Sequence, residues 1–196
     1  ELISFRSYCY AGGDYCNIDG DVKSKIPAPN QNILPLSPRW VDKKHSNNFE
    51  KFLTFYVHDI NLINFFFKED PKIGNIVSSK NGGNINFEYK DFFGSFDYAY
   101  LNQDNWEEGL DILFEKGSIK IKFKPAFLRN SPTEVSIYRE DKSPILLFPK
   151  VGYSWLFKNQ ALDFINCLKN NKNSISSGES SLIDMRMIEN ILKKIL

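Results

Sequence analysis

Apolar residues in the stretch 47–67, NNFEKFLTFYVHDINLINFFF, recur at steps of three and four. A 3.6-residue period therefore gathers Phe49, Phe52, Leu53, Tyr56, Ile60, Ile63 and Phe67 on one stripe of a helix. The opposite side carries Phe55, Leu62, Phe65 and Phe66, with Thr54, His58 and Asn61 among them at helical spacing. A helix apolar on two sides is expected to be buried on two sides. Ser46 or Asn47 is the expected cap, and KEDPK, with Pro71, the expected stop.

The N-terminal ELISFRSYCYA alternates instead, with Ile3, Phe5, Ser7 and Cys9 on one face and Leu2, Ser4, Arg6, Tyr8 and Tyr10 on the other. That predicts a strand with two usable faces. From 12 to about 46 the pattern dissolves, because Gly12, Gly13, Gly20, Pro27, Pro29, Pro35 and Pro38 forbid long regular elements. So long a connection reads as functional, disordered or a lid. Within it, DYCNIDGD superficially resembles a calcium loop but lacks the alternating carboxylates and the closing Glu, and reads as a turn.

Past the central helix the period changes. KIGNIVSSK, GNINFEYK, GSFDYAYL, GLDILFEK, SIKIKFK and TEVSIYRE are short, β-rich segments divided by turn-forming residues, and they predict a six-strand, mostly antiparallel meander. The spacing of ILFEKGSIKIKF predicts a hairpin turned at Lys116 and Gly117. Helical spacing then returns in Phe157, Ala161, Phe164, Ile165 and Leu168. After NNKNSISSGES it returns again in Leu182, Met185, Ile188, Ile191, Leu192 and Ile195, with Ser180 or Ser181 as cap and the two Met residues as core filling. Together these predict an α+β fold: a large open, mostly antiparallel sheet with helices packed on one face. Tyr8, Tyr10, Tyr89, Phe96, Tyr98 and Tyr100 are candidates for the other face, depending on register. An exposed aromatic sheet of that kind calls for a partner.

Composition narrows the functional classes. A chain of 196 residues with ordinary apolar and charged fractions fits one domain spanning 1–196. A net charge of +1 with interspersed signs offers no basic stripe for nucleic acid. No apolar run reaches membrane-spanning length, and no secretory signal opens the chain. The start at Glu1, without Met and directly in a strand, suggests a piece of something longer. Cys9, Cys16 and Cys167 are odd in number and form no CxxC pair, which favours free thiols in a reducing cytoplasm. Cys9, Cys16 and His45 match no standard metal spacing.

Three segments, FYVHDINLINFFF, NWEEGLDILFEKGSIKI and ALDFINCLKNNKNSISSGESSLIDMRMIENIL, occur in an order and spacing that resembles the C-terminal domain of the Gfo/Idh/MocA oxidoreductases (glucose-fructose oxidoreductase, inositol dehydrogenase and relatives). The resemblance covers nearly the whole chain outside the Pro-rich loop. It implies an N-terminal Rossmann domain that binds NAD or NADP, and a C-terminal domain that shapes the pocket for a carbohydrate-like substrate. It also implies a homodimer or homotetramer built on the open sheet face. No GxGxxG is present, the pairs Gly12-Gly13 and Gly82-Gly83 sit at strand ends without a following helix, and the family's Glu-Lys-Pro motif is absent. This chain alone is therefore expected to bind no cofactor and to be inactive.

The resemblance also implies roles for particular residues. His58 corresponds to a histidine that faces the nicotinamide and the reacting hydroxyl, and an imidazole is suited to taking that proton. The family often places an Asp four residues earlier. Here that position is Thr54, which can orient His58 but cannot stabilise an imidazolium as a carboxylate would. Asp59 and Asn61 correspond to positions that hold the histidine or the substrate, and both also read as structural hydrogen-bond formers. Without the family, His58 reads as a satisfied histidine in a buried helix. Asp14, Arg39, Trp40, Lys43, Lys44 and His45 are further candidates near the loop. Trp106, Glu107 and Glu108 read as a strand entry, and Tyr153 and Trp155 as core or pocket lining. The expected function is thus the substrate and oligomerisation domain of an NAD(P)-dependent oxidoreductase acting on a sugar, nucleotide sugar or cyclitol. The competing class is a non-catalytic module binding carbohydrate or protein through an aromatic sheet face.

Overall fold

The computed structural model describes residues 1–12, 26, 37–103 and 105–196. Most of the stretch 12–46 therefore lies outside the described residues, including Asp14, Cys16 and the DYCNIDGD segment. The elements in chain order are β1 (Leu2–Ala11), a short 3-10 turn (Lys43–His45), α1 (Ser46–Phe67), β2 (Lys72–Ser79), β3 (Gly82–Glu88), β4 (Phe93–Tyr100), β5 (Glu107–Phe114), β6 (Gly117–Phe123), β7 (Glu134–Arg139), β8 (Ile145–Leu147), α2 (Leu156–Asn170) and α3 (Gly178–Ile195). The sheet has eight strands in the order β2-β3-β4-β1-β5-β6-β7-β8. β1 runs parallel to β4 and antiparallel to β5. A parallel neighbour cannot be reached by a tight turn, and α1 with the β2–β3 hairpin makes the crossover that brings the chain back beside its first strand.

Alternation in β1 buries Phe5, Ser7, Cys9 and Ala11 on one face. The register with β4 and β5 puts Gly94, Phe96 and Tyr98, then Leu110 and Ile112, in the same phase. α1 lies on that face through Phe49, Phe52, Tyr56, Ile60 and Ile63, all buried. Gly94 leaves room for the Phe5 ring, which a Cβ there would meet at 2.1 Å, and Phe5 stacks on Phe67 with ring centroids 4.1 Å apart. α3 completes the core with Met187, Ile188, Ile191 and Leu192.

The join between α1 and α3 is polar and specific. Asn61 and Asn64, one turn apart on α1, each donate a side-chain N–H to a different oxygen of the buried Asp184, both at 2.7 Å. Asp184→Ala leaves both amides without their acceptor, so we expect a loss of about 2–3 kcal/mol of unfolding free energy. Urea denaturation measures it, and a change under 0.5 kcal/mol would show that water replaces the carboxyl at no cost.

Several expectations need correcting. Tyr89, Phe96, Tyr98 and Tyr100 belong to the helix-covered side: Phe96 and Tyr98 are buried, Tyr89 packs against the core, and Tyr100 meets Phe55 at 5.3 Å. Of the proposed aromatic set only Tyr8 and Tyr10 share the open face, and their neighbours there are polar. Arg6 donates to Asp97 at 2.6 Å and to the Tyr10 hydroxyl at 2.8 Å, and Asn84 donates to Asp97 at 2.6 Å. Ile3 is exposed because a register shift between Leu2 and Ser4 breaks the alternation of β1 at its start. Residues 145–147 add a seventh strand after α1. The β5–β6 turn is Glu115 and Lys116, with Phe114 paired to Gly117. α1 starts one residue after His45 without a side-chain cap, and α3 is capped by Ser177, whose hydroxyl accepts from the Ser180 N–H. Met187 is core, whereas Met185 is exposed. α2 buries none of its residues, so its apolar stripe is real but uncovered among the described residues.

Candidate functional site

β1 and β5 pair so that Cys9 lies opposite Glu108, and Ser7 opposite Leu110. α1 crosses above them with Asp59 turned inward and only 1% exposed. Neither Asp59 oxygen nor the Ser7 hydroxyl makes a hydrogen bond of normal geometry. Glu108 is held from one side: its Oε2 accepts the Trp106 indole N–H at 2.9 Å. The Trp106 ring rests against Phe55 of α1 with centroids 6.3 Å apart. Phe55 and His58 are three residues apart and so share a helix face.

The electrostatics follow from burial. Asp59 is pushed well above the usual carboxyl range by burial and by the nearby Glu108, with Cys9 and Ser7 only moderating the effect. Burial also raises Glu108, while the Trp106 hydrogen bond and the charge of His58 pull it back. Burial, with Asp59 and Glu108 close by, raises the Cys9 thiol far above its ordinary range. A thiol of that kind stays protonated and is no nucleophile.

A carboxyl raised in the folded state holds a proton that the unfolded chain has already released. The folded protein therefore binds more protons than the unfolded one above about pH 4, and its stability falls as pH rises toward the raised folded values. Asp59→Asn keeps the shape without the charge, and its stability should decline less steeply from pH 5 to pH 8.5 than that of the wild type. Denaturant melts across that range measure both slopes, and equal slopes would show that Asp59 does not carry this proton.

The structure separates the residues singled out above. Thr54 and His58 are both exposed, one turn apart on the outer side of α1. Asn61 is turned toward α3, where Asp184 engages it. Asp59 is beneath the helix, buried against the sheet and away from the exposed side where His58 stands. Trp40 packs edge-on against Phe49 with Lys193 over its ring, and Arg39, Lys43 and Lys44 are exposed. Tyr153 is exposed, and Trp155 lies under the guanidinium of Arg129 rather than in the core. Trp106, Glu107 and Glu108 stand at the start of β5, as expected of a strand entry, and Glu108 falls in phase with Leu110 and Ile112, which puts its carboxyl on the covered face.

Two sizeable cavities lie apart from this cluster. One, of about 570 Å³, is lined by Asn61, Asn64, Phe65, Asp184 and Met187 between α1 and α3. The other, of about 700 Å³, is a groove on the open sheet face lined by Tyr8, Asp111, Lys120, Lys122, Phe148 and Tyr153. Neither is lined by His58, which stands on the exposed side of α1. Among the described residues no strand runs through a glycine-rich turn into a helix: α1 is entered from a 3-10 turn, α2 from Trp155 and α3 from Ser177. These residues do not fit a dinucleotide's pyrophosphate. No group of three or more His, Cys, Asp and Glu able to hold a metal occurs among them.

No protein-family model matches the sequence, and no curated protein matches it at a significant level. The fold, however, is one found in dehydrogenases. A dehydrogenase (MviM) from Clostridium difficile superposes with a TM-score of 0.62 at 16% identity, covering 99% of this chain and 55% of that one. UDP-N-acetylglucosamine 3-dehydrogenase GnnA from Acidithiobacillus ferrooxidans gives 0.62 at 10% identity, covering 96% and 52%. KijD10, a 3-ketoreductase from Actinomadura kijaniata in complex with NADP, gives 0.61 at 12%, covering 96% and 50%. At such identities the likeness is one of fold, and the chain spans about half the length of these solved structures. Among the described residues no helix is long and apolar enough to cross a membrane.

Proposed function

We propose that this chain is the C-terminal substrate and oligomerisation domain of a Gfo/Idh/MocA-type, NAD(P)-dependent oxidoreductase. Its substrate is the hydroxyl or carbonyl of a sugar, nucleotide sugar or cyclitol. The observation that carries the reading is the exposed His58 on the outer side of α1, in a fold that over almost its full length matches about half of several dehydrogenases. The chain's own contribution is the proton: His58 takes it from a substrate hydroxyl or returns it to a carbonyl oxygen, and Thr54, one turn before it, is placed to meet a neighbouring hydroxyl. Partly exposed Phe65 and Phe66, at 49% and 42%, continue the same uncovered surface, which a nucleotide-binding domain would close. The nicotinamide would be held outside the described residues. The protein acts in the cytoplasm, as a homodimer or homotetramer through the open sheet face.

A binding module is the second reading, and it rests on the open-face groove with Tyr8, Phe148 and Tyr153. Calorimetric titration of NAD and NADP into this chain, and into the protein extended upstream of Glu1, separates the two. We expect no binding to this chain and micromolar binding of one dinucleotide to the extended protein. Micromolar binding to this chain alone, or none to either, contradicts the oxidoreductase.

A further inference from the structure

The join between α1 and α3 borders the cavity of about 570 Å³, a volume in the range of small-ligand sites. Among the groups lining it are the Asp184 carboxyl, 4% exposed, and the Asn61 and Asn64 amides that donate to its two oxygens. Each amide gives one N–H to Asp184. Its second N–H and its carbonyl oxygen make no hydrogen bond among the described residues, and neither side chain is sealed off as the Asp59 carboxyl is. Two donors and two acceptors, one helical turn apart, are thus held in a fixed arrangement by a carboxyl on the facing helix and remain free to meet a ligand.

The rest of the lining narrows the ligand. Phe65, Ile183 and Met187 supply apolar wall, and the Phe65 ring is half exposed. An aromatic ring beside fixed amides suits a saturated ring that bears hydroxyls: its C–H face packs on the aromatic, and each hydroxyl can both donate to and accept from an amide. Charge narrows it further. At the exposed mouth Lys68 and Arg186 offset Glu69 and Asp70, which leaves Asp184 as the one charged group of the interior and disfavours a phosphate or carboxylate there. The cavity also begins beside His58, because Asn61, three residues further along α1, is the next position on that helix face.

We propose that the cavity between α1 and α3 holds the part of the substrate that does not react: an uncharged, hydroxyl-bearing ring, engaged by Asn61 and Asn64 and packed on Phe65, with the reacting carbon toward His58. The inference rests on the oxidoreductase reading for its place in turnover, but the binding itself needs only this chain.

The test follows the side-chain amide signals of Asn61 and Asn64 by NMR, assigned with Asn61→Ala and Asn64→Ala, while this chain is titrated with methyl β-glucoside, myo-inositol and glucose 6-phosphate. At least one of the two uncharged probes should shift both amides saturably, and glucose 6-phosphate should bind roughly tenfold more weakly or worse. Asn61→Ala keeps the Asn64 bond to Asp184, and Phe65→Ala removes a half-exposed ring. Each should weaken binding about tenfold, with backbone amide spectra showing that the variant is folded. Amides that neither uncharged probe shifts, or wild-type affinity in both variants, overturn the site. Equal affinity for glucose 6-phosphate overturns the assignment to an uncharged ring. In the intact enzyme Phe65→Ala should raise KM about tenfold and leave kcat nearly unchanged, because the ring is held alike before and during reaction. An unchanged KM in an active enzyme overturns the place in turnover. An intact protein that binds the probe at these amides but turns over no substrate instead overturns the oxidoreductase reading and leaves the site standing.

Discussion

His58→Gln in the intact protein should lower kcat by roughly 10²-fold or more and leave the melting temperature close to that of the wild type. The imidazole is exposed on the outer side of α1, so its removal takes no volume from the core. The buried stripe of Phe52, Tyr56, Ile60 and Ile63 that holds the helix down is untouched. What is lost is the imidazole at the place where the substrate is expected. Truncating a histidine that served only packing would have the opposite signature, with a lower melting temperature and full activity in the folded fraction. Thermal melting and turnover measured on the same preparation decide between them.

Phe96→Ala should cost about 3–5 kcal/mol, a large part of the roughly 5–15 kcal/mol that separates a folded domain from its unfolded chain. Phe96 is fully buried on β4 and meets Tyr56 of α1 with ring centroids 5.9 Å apart, so its removal opens a void where the helix sits on the sheet. Phe93, three residues earlier on the same strand, is in the opposite phase and 61% exposed. Phe93→Ala should therefore change the stability of the monomer of this chain by no more than about 0.5 kcal/mol. Measured at concentrations where the chain is monomeric, the pair tests which face of the sheet α1 covers, and comparable losses at both sites would contradict the assignment.

The central helix was legible because 22 residues give the 3.6 period many repetitions, and its stripe of Phe49, Phe52, Tyr56, Ile60 and Ile63 is the stripe that is buried. The antiparallel meander was legible from its turns. What alternation cannot say is which of two faces is covered. Ser95, Asp97 and Ala99 alternate with Phe96 and Tyr98, but only pairing with β1 sends the aromatics under α1 and leaves Arg6, Asp97 and Tyr10 outside. A three-residue strand such as β8 is too short to show any period. The apolar stripe of α2 is plain in the sequence, yet periodicity is the same whether or not a partner covers it. At the site, His58 and Thr54 stand out only through the resemblance, since helical spacing by itself gives a histidine no role. Glu108 reads in the sequence only as part of a strand entry, because its place opposite Cys9 depends on the β1–β5 register.

The most direct test is the absorbance of reduced nicotinamide, followed while the intact protein is given NAD or NADP and a panel of sugars, nucleotide sugars and cyclitols. The account predicts turnover of at least one of these, reduced at least a hundredfold or so by His58→Gln. Absence of turnover across the panel in a protein shown to bind the dinucleotide, or equal rates for His58→Gln and wild type, would contradict it.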